Sequence, residues 1–200
     1  MAAETGAVDG TAAATKAPDP SPPHRTIAIP DFCLVLLIGA SGAGKAPVGR
    51  RWYGPTEVVS SDTCRALVGD DEAEQTASTA AVELLAFIAD KRLAARRLTV
   101  IDATNVRPAD RKPLRALAKK YHAPVVALLL LTDRKTCVEH NRLRPGRTVP
   151  AAVIARQHAA LKRGLASPEE HENFEAVQVF EMVGEIAELE RVTRDRLPAQ

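Results

Sequence analysis

Between residues 32 and 38 the sequence reads FCLVLLI, apolar at every position, and it runs straight into GASGAGK at 39–45. A strand with no polar alternation has no face it can show to water. It must lie in a sheet covered on both sides, which in practice means a parallel sheet with helices above and below. The run is far too short to cross a bilayer. The glycines that follow end the strand and let the backbone turn tightly.

Four further segments continue the pattern. TEVVS (56–60), LTVID (98–102), VVALLLL (125–131) and AVQVF (176–180) read as strands. Between and after them, 76–93, 107–121, 134–143, 150–165 and 183–196 follow a helical period. Ala81, Leu85, Ile88 and Leu93 share one stripe, Leu114, Leu117 and Ala118 another, and Pro150 suits a helix start. Strand and helix alternate, so the expected architecture is a three-layer α/β fold with right-handed crossovers and a mostly parallel five-stranded sheet. Residues 1–30 are rich in Ala, Thr and Pro, with PDPSPP at 18–23. They bury too little apolar surface to offset their ordering entropy and read as a disordered tail before a domain at 31–197.

Composition narrows the possibilities. Hydrophobic residues make up 46% of the 200 and aromatics only 4%, so the core is aliphatic. A net charge of +2, from 27 basic and 25 acidic residues, argues against a surface built throughout to coat nucleic acid. The charge is uneven: Arg and Lys crowd 91–97, 107–120 and 134–147, and Glu dominates 169–190. Cys33, Cys64 and Cys137 show neither paired nor metal-ligand spacing, and no basic segment leads into an apolar one at the N-terminus. The expectation is a reduced, cytoplasmic protein without a membrane anchor. His24, His122, His140, His158 and His171 show no metal spacing and read as surface or helix residues.

GASGAGK fits G-x-x-x-x-G-K in the context that gives the pattern meaning, after a buried strand and before a helix. The backbone N–H groups of Gly39, Ala40, Ser41, Gly42, Ala43, Gly44, Lys45 and Ala46 are the expected ATP-phosphate cradle, helped by the helix dipole. Lys45 would neutralise phosphate charge during transfer. The next position departs from the pattern. Ser or Thr, with a hydroxyl for Mg²⁺, is expected where this chain has Ala46, and Pro47 removes an amide as well. A charge-assisted hydrogen bond is worth about 1.5–3 kcal/mol, so ATP and Mg²⁺ should be held more weakly while the fold survives.

VVSSDTCR (58–65) sets Ser61, Asp62 and Arg65 just beyond the second strand, at the strand ends where open α/β sheets bind ligands. Asp62 can take a proton from an attacking hydroxyl, or simply cap a helix at 63–68. Arg65, one turn on, could grip an acceptor phosphate, with Ser61 beside it. Asp102, at the end of LTVID, is a candidate metal carboxylate, and Asn105 a candidate cap for the next helix. RLRPGRTVP (142–150) places Arg142, Arg144 and Arg147 between two helices. That is either a lid that closes on the transferring phosphates or a solvated basic loop.

Taken together, GASGAGK, EVVSSDTCRALVGDDEAEQT, KRLAARRLTVIDATN, ADRKPLRALAKKYH and NRLRPGRTV resemble the kinase module of bacterial polynucleotide kinase-phosphatases, in the polynucleotide 5′-hydroxyl kinase family. The similarity covers most of 32–165. It implies a P-loop kinase fold with an arginine-bearing lid, and transfer of the γ-phosphate of ATP, with Mg²⁺, to the 5′-hydroxyl of RNA or DNA ends in repair. On it Lys45 binds phosphates, Asp62 is the general base, Arg65 contacts the acceptor phosphate, and Arg144 and Arg147 reach the donor. It also implies partners that supply phosphatase or ligase steps, which 200 residues do not hold. Two other readings remain open: a small-molecule kinase on the same scaffold, and a non-catalytic ATP-binding module. The segment 166–182 lacks the Gly-Phe run that the family would place before the last strand.

Overall fold

The computed structural model describes residues 26–71, 73–74, 76–146, 148–165, 176–180 and 191–195. The apolar run of the N-terminal third becomes the central strand β2 (Leu34–Ile38), preceded by β1 (Thr26–Pro30). The chain continues through α1 (Lys45–Trp52), β3 (Val58–Ser60), α2 (Ser61–Gly69), α3 (Ser78–Ala94), β4 (Thr99–Asp102), α4 (Pro108–Lys120) and β5 (Val125–Leu130). It then runs through α5 (Arg134–Leu143), α6 (Ala151–Leu165), β6 (Ala176–Phe180) and β7 (Arg191–Asp195).

Five strands form one parallel sheet in the order β3-β4-β2-β5-β6. Every position of β2 is buried, and its residues, with Cys33 just before them, divide between two cores. Leu34, Leu36 and Ile38 join Leu85, Ala89 and Leu93 of α3 and Leu114 of α4 on one face. Cys33, Val35 and Leu37 join Val48 of α1, Cys137 of α5 and Ile154 of α6 on the other. This split is the physical content of the missing alternation: both faces of the pleat need apolar side chains. Burial of each large one contributes about 1.5–3 kcal/mol. The three layers and the five parallel strands agree with expectation.

The two ends of the chain differ from it. Thr26–Pro30, placed in the tail on composition, is a strand that pairs in parallel with Arg191–Asp195 in a separate two-stranded sheet. Ile27 and Ile29 are buried and Ala28 is exposed, an alternation too short to stand out beside the prolines upstream. Residues 191–195 were expected in a helix over 183–196. They are β7 instead, where RVTRD supplies β-branched residues and β1 supplies the ladder. The rest of the expected tail and of that helix lies outside the described residues. Among the described residues no helix is long and apolar enough to cross a membrane. Cys33, Cys64 and Cys137 are buried, and none of them is in a disulfide.

Candidate active site

From β2 the chain first builds the sheet on one side (β3, β4) and later on the other (β5, β6). The carboxyl end of β2 is therefore the switch point, where flanking connections diverge and leave a crevice. Residues 39–45 fill it. Gly44 caps α1 with φ 95°, and Gly42 turns at φ 84°, both in the left-handed region. At Gly42 space is also decisive, since a Cβ would lie 2.1 Å from the carbonyl oxygen of Cys137.

The loop is held from four directions. The Gly39 N–H donates to Thr104 O (3.0 Å), and Asn105 Nδ2 donates to Leu37 O (2.9 Å). Thr132 Oγ1 donates to Ala43 O (3.1 Å), and His140 Nδ1 donates to Gly42 O (3.0 Å). From α6, Gln157 Oε1 accepts the Ser41 N–H at 2.8 Å. Lys45, only 8% exposed, turns back so that Nζ donates to Gly39 O (2.9 Å) and Ala40 O (2.8 Å). Two charge–dipole contacts of Lys45 thus lie inside the loop itself. Pro47 sits exposed in the first turn of α1. The amide it lacks would have had no partner within the helix, so the helix forms and only a ligand contact is forgone.

Asn105 was expected to cap a helix. It is instead buried, with φ 50°, its side chain on β2 and its carbonyl accepting from Arg111 Nη1. The DATN stretch (102–105) is thus a bracket that fixes where the phosphate loop begins. Thr132, His140 and Gln157 carried no signal in the sequence. They lie 89, 98 and 116 residues from their partners in the loop, and each reads locally as an ordinary polar helix or loop residue.

On the opposite wall, the Ser60 hydroxyl caps α2 by accepting from Asp62 N (3.2 Å). The capping role considered for Asp62 therefore belongs to Ser60, and the Asp62 carboxylate faces elsewhere. It pairs with Arg65, one turn along α2, and its Oδ2 accepts from Arg144 Nη2 at 2.9 Å. Arg65 is 8% exposed, whereas the Arg144 side chain, at the end of α5, is 39% exposed. Ser61 opens α2 beside this pair. Arg142 is exposed at the end of α5, and Arg147 lies outside the described residues.

Asp102 stands between the walls, in register with Leu37 of β2 and Ser60 of β3. Burial pushes its carboxyl pKa up, against the pull of Lys45, Arg144 and Arg50. Their fields thus meet at one carboxylate at the sheet's edge; Arg50, on α1, was not among the expected site residues. Among the described residues no group of three or more His, Cys, Asp or Glu side chains could hold a metal ion. With a methyl at Ala46, Asp102 remains as the carboxylate available to Mg²⁺. One carboxylate with phosphate oxygens and water is a donor set that Mg²⁺ accepts, so the residues present fit the ion.

A family model described as an AAA domain, AAA_33, matches residues 34–166, from the first residue of β2 to just past α6. The chain belongs to the AAA_33 family. The AAA_33 span contains the cradle, Asp62, Asp102 and Arg144, and its three-layer parallel sheet is the fold of a P-loop kinase. No curated protein matches the chain in sequence. Among solved structures, the chain is similar to one in the Pnkp1/Rnl/Hen1 RNA repair complex at 20% identity and TM-score 0.56, over 72% of this chain and 47% of that one. The AAA_33 chain thus spans about half the length of that relative. It is also similar to a protein of the PezAT chromosomal toxin–antitoxin system of Streptococcus pneumoniae, at 19% identity and TM-score 0.55, over 78% of this chain and 69% of that one. At these identities the likeness concerns the fold alone.

Proposed function

We propose that this AAA_33 chain is an ATP-dependent phosphotransferase whose acceptor is the 5′-hydroxyl of a polynucleotide. The observation that carries the reading is Asp62 held between Arg65 and Arg144 just beyond β3, with Asp102 of the neighbouring strand under the fields of both Arg144 and Lys45. Two guanidinium groups fix where the carboxylate stands, and release of Arg144 to another anion would leave it able to take a proton. The amides of 41–46 and Lys45 bind the phosphates of ATP. Asp62 accepts the proton of the attacking hydroxyl as the new P–O bond forms and ADP leaves. Arg65, buried beside Asp62, grips a phosphate of the acceptor strand. Arg144, the more exposed partner, exchanges Asp62 for the donor phosphates, and Arg147 is proposed to join it. Asp102 would hold Mg²⁺, which supplies neutralisation of phosphate charge when bound.

Similarity in fold to a chain of an RNA repair complex adds the proposal that separate phosphatase or ligase proteins act beside this one on the same ends. A second reading, a small-molecule acceptor on the same scaffold, is favoured by the net charge of only +2.

The test is transfer of labelled γ-phosphate from ATP to 5′-hydroxyl RNA and DNA oligonucleotides, with Asp62→Ala beside the wild type. Transfer that falls roughly 10²–10⁴-fold in the variant, with ATP binding retained, is the expected result. ATP binding without transfer to either oligonucleotide would sink the polynucleotide reading. An acceptor affinity that hardly changes with salt would favour the small molecule, because strand binding falls steeply as salt rises.

A further inference from the structure

The amide of Ser41 belongs to the phosphate cradle, yet its hydrogen bond goes to a side chain from the far end of the domain: Gln157 Oε1, at 2.8 Å. Gln157 is half-buried on α6, the helix that begins directly after the loop at 144–150. That loop's first residue, Arg144, reaches Asp62. α6 packs against α5, whose His140 bonds the next residue of the cradle, Gly42, and whose end carries Arg144 to Asp62, so Gln157 belongs to the pair of helices that joins the cradle to the acceptor wall. In an in-line transfer the terminal phosphate lies between donor and acceptor. The amides at the start of α1, on the other side of Gly44, are left for the inner phosphates.

A glutamine is suited to such a position by its chemistry. Its carboxamide carries an acceptor oxygen and a donor NH₂ on one planar group, and the torsion that exchanges them is soft and nearly two-fold. With the oxygen on the Ser41 N–H, the NH₂ points away from it. A phosphate oxygen that takes the Ser41 N–H displaces the carbonyl oxygen. Half a turn of the carboxamide then presents the NH₂ to the same phosphate. Neither Asp nor Glu could do this, because a carboxylate at that point repels the ligand and cannot donate.

We propose, resting on the reading of the cradle as an ATP site, that Gln157 is a positioning and specificity residue for the γ-phosphate. It holds the Ser41 amide in place and exchanges that bond for one to the terminal phosphate, so the site prefers ATP to ADP and α6 follows the exchange. The inner phosphates of ADP do not reach Gln157.

The experiment measures ATP and ADP affinities of the full chain by calorimetry for the wild type, Gln157→Leu and Gln157→Glu, with thermal melting of each. It adds the ¹⁵N–¹H resonance of Ser41 before and after addition of a non-hydrolysable ATP analogue. The expected result is an ATP-over-ADP preference reduced at least about fivefold in Q157L and further in Q157E, with ADP affinity nearly unchanged in Q157L. The Ser41 resonance should shift on Q157L substitution and on ATP-analogue binding, but much less on ADP binding. A preference within twofold of wild type in both variants, while the wild type binds ATP and transfers phosphate, overturns this inference and leaves the proposed function standing. A wild type that does not bind ATP overturns both.

Discussion

Around the phosphate loop, apart from the Gly39–Thr104 backbone bond, contacts with the rest of the fold run between side chains and backbone: Asn105 to Leu37, Thr132 to Ala43, His140 to Gly42, Gln157 to Ser41. Across the cleft the acceptor wall is held differently, by Asp62, Arg65 and Arg144 acting on one another through charge. Side-chain–backbone bonds to a buried loop are local, directional and indifferent to salt, so they fix a shape. Ion pairs with one partly exposed member, such as Arg144, are weaker and can be exchanged for another anion. The donor side is thus prebuilt, and the acceptor side is poised to rearrange when phosphate charge arrives. That division suits transfer chemistry, in which the cradle must not relax and the lid must move.

The comparison is broken most severely at Gly42. A Cβ there meets Cys137 O at 2.1 Å with φ held at 84°, so Gly42→Ala should destabilise the fold by roughly 3–5 kcal/mol through overpacking and backbone strain. ATP binding should disappear, and thermal melting with calorimetry checks both. Next in size, Ala46→Ser with Pro47→Thr restores a hydroxyl and an amide where the cradle lacks them. ATP affinity should rise about tenfold and the Mg²⁺ needed for half-saturation should fall, since each recovered charge-assisted bond is worth about 1.5–3 kcal/mol less the cost of ordering it. An unchanged affinity would mean that this end of the loop does not touch phosphate.

Asp102→Asn tests the ground between the walls. Burial raises the Asp102 pKa despite Lys45, Arg144 and Arg50, so its folded-state value lies above its unfolded one. Stability from this group is then fully present below the unfolded pKa and lost as pH rises through the folded value. At neutral pH the asparagine variant should therefore be more stable, and the gain should vanish in acid below about pH 4. Chemical denaturation at the two pH values reads it out, while Mg²⁺-dependent turnover falls. The smallest effect concerns salt. The Arg144–Asp62 pair is part-exposed and worth a few tenths of a kcal/mol, so high salt should raise proteolytic cleavage near 144–146 about twofold. Melting of the cradle variants should not follow salt.

The sheet and its order of appearance could be read from the chain because parallel strands buried on both faces leave continuous apolar runs, as in FCLVLLI and VVALLLL. The cradle was legible because its glycines and Lys45 are contiguous. Asp62, Arg65 and Arg144 were legible as residues, while their mutual pairing depends on the end of α5 meeting the start of α2, which no local pattern encodes. Asn105 was misread because a left-handed asparagine before a helix resembles a cap until its side chain is traced to β2. Gln157 was invisible: one polar residue on an amphipathic helix is ordinary, and its meaning lies in a partner 116 positions away.

The parallel pairing of Thr26–Pro30 with Arg191–Asp195 has a kinetic consequence. Joining segments at opposite ends of the described chain closes the longest loop among the described strand pairings, and the entropy of that closure grows with the residues between. Early in folding there is nothing nearby to offset it. Ile27 and Ile29 find their apolar neighbours, Val35 and Leu37 among them, only once the central sheet has assembled. The strand pair should therefore form last and open first, a late clasp whose hydrogen exchange runs ahead of the sheet it closes upon.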